Sequence, residues 1–148
     1  MSARIPKSYL SVEQLLELAI RFEVESAEFY RLMQKSITDR EVLGLLQDLE
    51  LQEQEHERAL RQYKQLRKSE AVLQFAPELS LSMPAAPENP GFAELLEVAL
   101  ERERRSVSIY RATADLSGGE LRRIMEELAA FEQQHLERLL RIRQIPRR

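Results

Sequence analysis

The chain contains two histidines, and each closes the same four-residue pattern: Glu53-Gln54-Glu55-His56 and Glu132-Gln133-Gln134-His135. Residues three apart on a helix share a face, so each pattern sets a carboxylate and an imidazole side by side, about one turn apart. The neighbours decide which way that face turns. Leu46, Leu49 and Leu60 lie in the stripe of Glu53 and His56, and Met125, Leu128 and Leu139 in that of Glu132 and His135. Both stripes are otherwise apolar, so the acids and imidazoles face a core. One such match means little in a chain rich in glutamate. Two, holding both histidines of the protein, constrain the fold: the chain must bring something to these inward-facing groups.

The two patterns belong to an internal repeat. The segment 49–56 lines up with 128–135, matching Leu49 with Leu128, Glu53 with Glu132, Gln54 with Gln133 and His56 with His135. Upstream, the segment 19–23 lines up with 99–103, and in the same register Tyr30 meets Tyr110. Helical periodicity predicts four helices. The first covers 11–36, opened by a capping box of Ser11 and Gln14 and carrying Leu15, Leu16, Ala19, Ile20, Ala27, Tyr30 and Ile37 at helical spacing. The second starts at Thr38 or Asp39 and runs past Tyr63 as far as Ala71. The third spans 92–116, and the fourth begins after Gly118-Gly119 and ends before Pro146. Short links at Thr38 and at 117–119 make each pair an antiparallel hairpin. Between the pairs, residues 75–91 carry Pro77, Pro84, Pro87 and Pro90, a density no helix survives. The expected fold class is therefore all-α: a ferritin-like four-helix bundle of two antiparallel hairpins joined by a long crossover.

The apolar-neighbour test also selects acids on the first and third helices. Glu23 sits among Leu16, Ala19, Ile20, Ala27 and Tyr30, and Glu103 among Leu96, Ala99, Leu100, Val107 and Tyr110. Glu25 instead shares its side with Arg21 and Glu28, and Glu101 with Arg104 and Arg105, as solvent-facing charges do. Glu50, one turn before Glu53, aligns with Ala129 and reads as an edge residue. Four carboxylates in one dry interior cost several kcal/mol each, on the order of the effective penalty for a buried ion. Two divalent cations balance four carboxylates and two neutral imidazoles. A Glu from each of two helices plus Glu-x-x-His from each of the other two is the ligand set of di-iron and di-manganese carboxylate bundles. The donor types admit iron, with manganese or zinc as alternatives.

At Glu23 to Tyr30, ending in Phe29-Tyr30, and at Glu50 to His56, the chain resembles the rubrerythrin branch of the ferritin-like superfamily. The likeness covers all but the crossover and the tail. It implies that Glu53 and Glu132 bridge two iron ions, that Glu23 and Glu103 are terminal carboxylates, and that His56 and His135 each cap one metal. Tyr30 and Tyr110 would be hydrogen-bonded to ligand carboxylates. The implied function is a non-haem di-iron oxidoreductase reacting with hydrogen peroxide or O2. The alternatives are a ferroxidase or iron-storage protein and a non-enzymatic, metal-stabilised helical binding module. Two features depart from the family pattern. Where rubrerythrins have a further ligating glutamate on the third helix, this chain has Ser106. With no cysteine it has no rubredoxin domain, so electrons would come from a separate rubredoxin-type protein. A homodimer is the simplest closed assembly.

The remaining sequence excludes more than it adds. A formal charge of −3, with acids and bases interspersed, offers neither a nucleic-acid groove nor a polybasic membrane patch. No stretch approaches the roughly 18 apolar residues of a membrane span. The absence of cysteine, with no apolar signal core from Met1 to Leu10, fits a cytoplasmic protein. The length of 148 residues predicts one domain over 1–148, with a basic tail at 144–148.

Overall fold

A computed structural model describes residues 8–145; positions 1–7 and 146–148, and with them most of the basic tail and of the segment from Met1 to Leu10, lie outside the described residues. Four helices run in the expected order: α1 (Val12–Gln34), α2 (Arg40–Leu66), α3 (Phe92–Leu116) and α4 (Gly119–Gln144). α1 packs along α2 and α3 along α4, and the two hairpins meet through α1 against α3 and α2 against α4. The chain forms the four-helix bundle of two hairpins and a long crossover. No described helix is long and apolar enough to cross a membrane.

The helix starts follow local chemistry. Ser11 Oγ accepts from the Gln14 backbone N–H at 3.0 Å while the Gln14 side chain accepts from the Ser11 N–H at 2.9 Å, the reciprocal capping box. Asp39 caps α2, accepting from the N–H groups of Glu41 and Val42. Gly119 opens α4 at φ 60°, a left-handed conformation that costs glycine little.

Two boundaries differ from the sequence expectation. α2 stops at Leu66 rather than reaching Ala71, and α1 ends at Gln34 rather than Ser36, which leaves Ile37 in the α1–α2 link. A short sheet, unforeseen in the sequence, accounts for the first. Beyond α2 the chain becomes extended and β2 (Val72–Gln74) pairs antiparallel with β1 (Tyr9–Ser11), Leu10 opposite Leu73. Leu73 and Phe75 are buried while Val72 and Gln74 are exposed, so the pairing tucks two large apolar side chains under one end of the bundle.

The core divides into two apolar clusters. One gathers Leu15, Leu16, Leu60, Phe75, Ile109 and Met125 with their neighbours. The other gathers Met33, Leu46, Leu49, Leu95, Leu96 and Leu139 with theirs. Along every helix the boundary between the clusters falls at an acid: Glu23 on α1, Glu53 on α2, Glu103 on α3 and Glu132 on α4. The candidate site is a polar layer between two apolar ones.

The crossover is tied to α3 by arginine. Arg102, only 3% exposed, donates to the Pro84 carbonyl at 3.0 Å and to Glu25 at 3.4 Å, and its guanidinium lies 5.0 Å from the Phe29 ring centre. Arg105 adds a bond to the Ser82 carbonyl at 3.1 Å. Hydrogen bonds from a charged group to carbonyls, with the buried stem, make Arg102→Ala an expected loss of about 2–3 kcal/mol. The measurement is the urea midpoint, with faster protease cleavage within 77–90; a stability change below about 0.5 kcal/mol, the scatter of ordinary surface substitutions, would refute the clasp.

Candidate metal centre

The six residues singled out by the stripe argument come together. Glu23, Glu53, Glu103 and Glu132 are each 1% exposed and His135 is fully buried. The His56 side chain keeps 12% of its surface. Two donor groups form, Glu23, Glu53, His56 and Glu132 in one and Glu53, Glu103, Glu132 and His135 in the other, with donor atoms inside each within 4.8 Å of one another. Glu53 and Glu132 belong to both groups, Glu23 with His56 to one, and Glu103 with His135 to the other.

Antiparallel packing produces this arrangement. On the α1–α3 side the Tyr30 hydroxyl donates to Glu103 Oε1, and the Tyr110 hydroxyl donates to Glu23 Oε1 at 2.9 Å. Each tyrosine thus reaches across to the acid of the other hairpin. On the α2–α4 side the two imidazoles stack nearly parallel, 5.8 Å between ring centres. His56 Nδ1 lies 3.6 Å from Glu23 and 3.5 Å from Glu132. His135 Nδ1 lies 2.6 Å from Glu53 and 3.3 Å from Glu132.

These contacts are close without being aligned as hydrogen bonds. Glu23 Oε2, Glu53 Oε1, Glu103 Oε2, Glu132 Oε1, His56 Nδ1 and His135 Nδ1 are all buried without a hydrogen-bond partner. Such an atom costs roughly 1–3 kcal/mol, more when charged, so six around one centre require a shared partner. A divalent cation in each donor group meets that requirement, and the residues fit two such ions.

The electrostatics of the protein groups agree. Burial, then the Glu132 charge, raises the Glu23 carboxyl. The same two causes push Glu53 and Glu103 well above the usual carboxylate range. Burial also pushes on Glu132, but Glu103, His135 and His56 outweigh it and hold that carboxyl well below the range. His56, lowered by burial but raised more by Glu132 and Glu23, sits at about 10. Burial, then the charge of the facing acid, keeps the Tyr30 and Tyr110 hydroxyls protonated as donors.

Other acids stay outside. Glu50 lies at the α1–α2 edge, bonded to Arg31 at 3.0 Å and to Gln34 at 2.8 Å. Glu101 pairs with Arg105, and Glu25 with Arg102. Sequence reasoning missed two residues beside the site. Gln52 Oε1 is 2.6 Å from His135 Nε2, and the Phe131 ring packs 5.0 Å from that of His56. A carbonyl oxygen only accepts, so His135 donates from Nε2 to Gln52, which leaves Nδ1 turned to the donor group. Gln52 and Phe131 occupy equivalent positions of the repeat, one residue before Glu53 and Glu132. That mismatch, directly before each matched glutamate, was the available signal.

No family model and no curated protein matches the chain. Among solved structures, a hypothetical protein from Pyrococcus furiosus superposes with a TM-score of 0.69 at 25% identity, over 88% of this chain and 86% of that one. A dodecameric thioferritin, the bacterioferritin-related protein from Bacteroides fragilis, superposes with a TM-score of 0.65 at 18% identity, over 84% of this chain and 79% of that one. The chain has the ferritin-like four-helix-bundle fold, with a buried carboxylate and histidine cluster that could hold metal.

Proposed function

We propose that the chain is a non-haem di-iron oxidoreductase that reacts with hydrogen peroxide or O2. The observation that carries the reading is the ring of six buried donor atoms, one from each of Glu23, Glu53, His56, Glu103, Glu132 and His135, none with a hydrogen-bond partner. Glu53 and Glu132 would bridge the two ions, Glu23 and Glu103 would bind one each, and His56 and His135 would cap one each. The fold shared with the thioferritin favours iron over manganese or zinc. When bound, two ferrous ions supply one electron each, the pair needed to reduce peroxide to water or O2 to peroxide.

The chain's own residues do the rest. Tyr30 and Tyr110 keep their protons and orient Glu103 and Glu23 through single hydrogen bonds. The apolar clusters on both sides exclude water from the carboxylate layer. Reducing equivalents would come from outside, since the chain has no cysteine; a separate rubredoxin-type protein is the class of donor that fits. A homodimer remains the simplest assembly for such a bundle.

A second reading uses the same donors: a ferroxidase that passes oxidised iron on to a store, in line with the likeness to the thioferritin. The test begins with metal analysis of protein produced with iron. The ferrous form, loaded without air, is then exposed to peroxide and to O2. Two irons per chain, oxidised and then re-reduced by an external donor through repeated cycles, is the expected result. Uptake far beyond two irons per chain would favour the ferroxidase. A loaded centre inert to both oxidants would leave a metal-stabilised binding module.

A further inference from the structure

The two halves of the centre are related by the repeat but do not have the same surroundings. His135 has no exposed surface, and its Nε2 is held by Gln52 at 2.6 Å. His56 lies on the same α2–α4 seam with 12% of its side chain exposed. No described residue hydrogen-bonds its Nε2. At the position equivalent to Gln52 stands Phe131, whose ring lies 5.0 Å from the imidazole at an interplanar angle of 52° and is itself 43% exposed. One imidazole is therefore clamped, and the other is shielded by an aromatic ring that solvent already reaches.

This difference matters for exchange. A ligating histidine whose far nitrogen is hydrogen-bonded keeps its ring orientation, and loss of such an outer partner costs about 10–100-fold in metal affinity. A ring whose far nitrogen has no such partner, and whose outer cover is an exposed phenyl, can turn away from its ion when the phenyl moves, and exposed side chains change rotamer on fast timescales. We infer that divalent metal enters and leaves through the α2–α4 seam at His56, with Phe131 as its cover, while Gln52 makes the Glu103–His135 half the retained position. The inference rests on the two-metal reading above and adds an order of exchange to it. Phe131 and Gln52 act through the histidines and are positioning residues.

The test uses the full chain loaded with Zn2+, which has no redox chemistry, mixed with excess chelator while release is followed by a zinc-responsive dye. Two release phases of equal amplitude are expected. Phe131→Ala should speed the first phase several-fold and leave the second unchanged. Gln52→Leu should speed the second phase by about 10–100-fold, and Gln52→Glu, which restores an acceptor for Nε2, should slow it again. A single phase carrying both ions, or equal acceleration of both phases by Phe131→Ala, would overturn the inference while leaving the two-metal reading intact. A chain that never binds two zinc ions would instead overturn the reading on which both stand.

Discussion

Replacing Glu132 with alanine should empty the whole centre rather than half of it. Glu132 and Glu53 alone appear in both donor groups, so on the two-metal reading the change would remove a ligand from each ion at once. It also takes away the carboxylate 3.5 Å from His56 Nδ1 and 3.3 Å from His135 Nδ1. Loss of a mere outer partner costs about 10–100-fold in affinity, so loss of a shared ligand should exceed about 100-fold for each ion. Metal analysis after gel filtration should fall from two ions per chain to background, with helical content preserved because the apolar clusters above and below are untouched. Glu50→Ala is the matched control: that carboxylate is held at the edge by Arg31 and Gln34 and belongs to neither donor group, so two ions should remain. Two retained ions in Glu132→Ala would refute the shared-ligand assignment.

The inward-facing acids were legible because burial of charge leaves an unmistakable trace. An acid flanked at helical spacing by leucine and alanine has to face inward, and Glu23, Glu53, Glu103 and Glu132 all do. The pairing of hairpins was legible from the prolines and from the short links. What escaped detection depends on contacts between segments distant in sequence. Arg102 lies on a charged helix and is buried because Pro84 and Glu25 come to it from elsewhere. The β1–β2 pair is three residues long on each side, too short for a period-two pattern to stand out. Gln52 and Phe131 differ in the repeat, but only their placement against His135 and His56 gives the difference meaning. The carboxylate layer follows from one helix at a time, whereas its access route follows from two helices together.

Stripping the metal should destabilise the protein by an amount that grows as pH rises. Consider first the metal-free chain. Burial raises the folded-state carboxyls of Glu23, Glu53 and Glu103 above the unfolded value of 4.5, so above that value the folded chain holds protons that the unfolded chain has released. Stability then falls with rising pH. His56 acts in the same direction: raised to about 10 from 6.5, it contributes stability fully present below 6.5 and lost as pH climbs through about 10. Glu132, held low, opposes the others only at the acid end, where its contribution disappears as pH falls below 4.5. The metal-loaded chain behaves oppositely, because its ligands must be deprotonated to bind and each proton removed favours the ion. The two curves diverge from mild acid upward. An ion at about 1,000 times its dissociation constant adds about 4 kcal/mol, so two ions add about 8. In a chain of this size about 8 kcal/mol corresponds to a difference in Tm on the order of 20 °C. Thermal unfolding with metal and with chelator, at about pH 5 and about pH 8, should show a gap several-fold wider at the higher pH. A gap that stays constant or narrows would mean that the four inward acids are not what the ions neutralise.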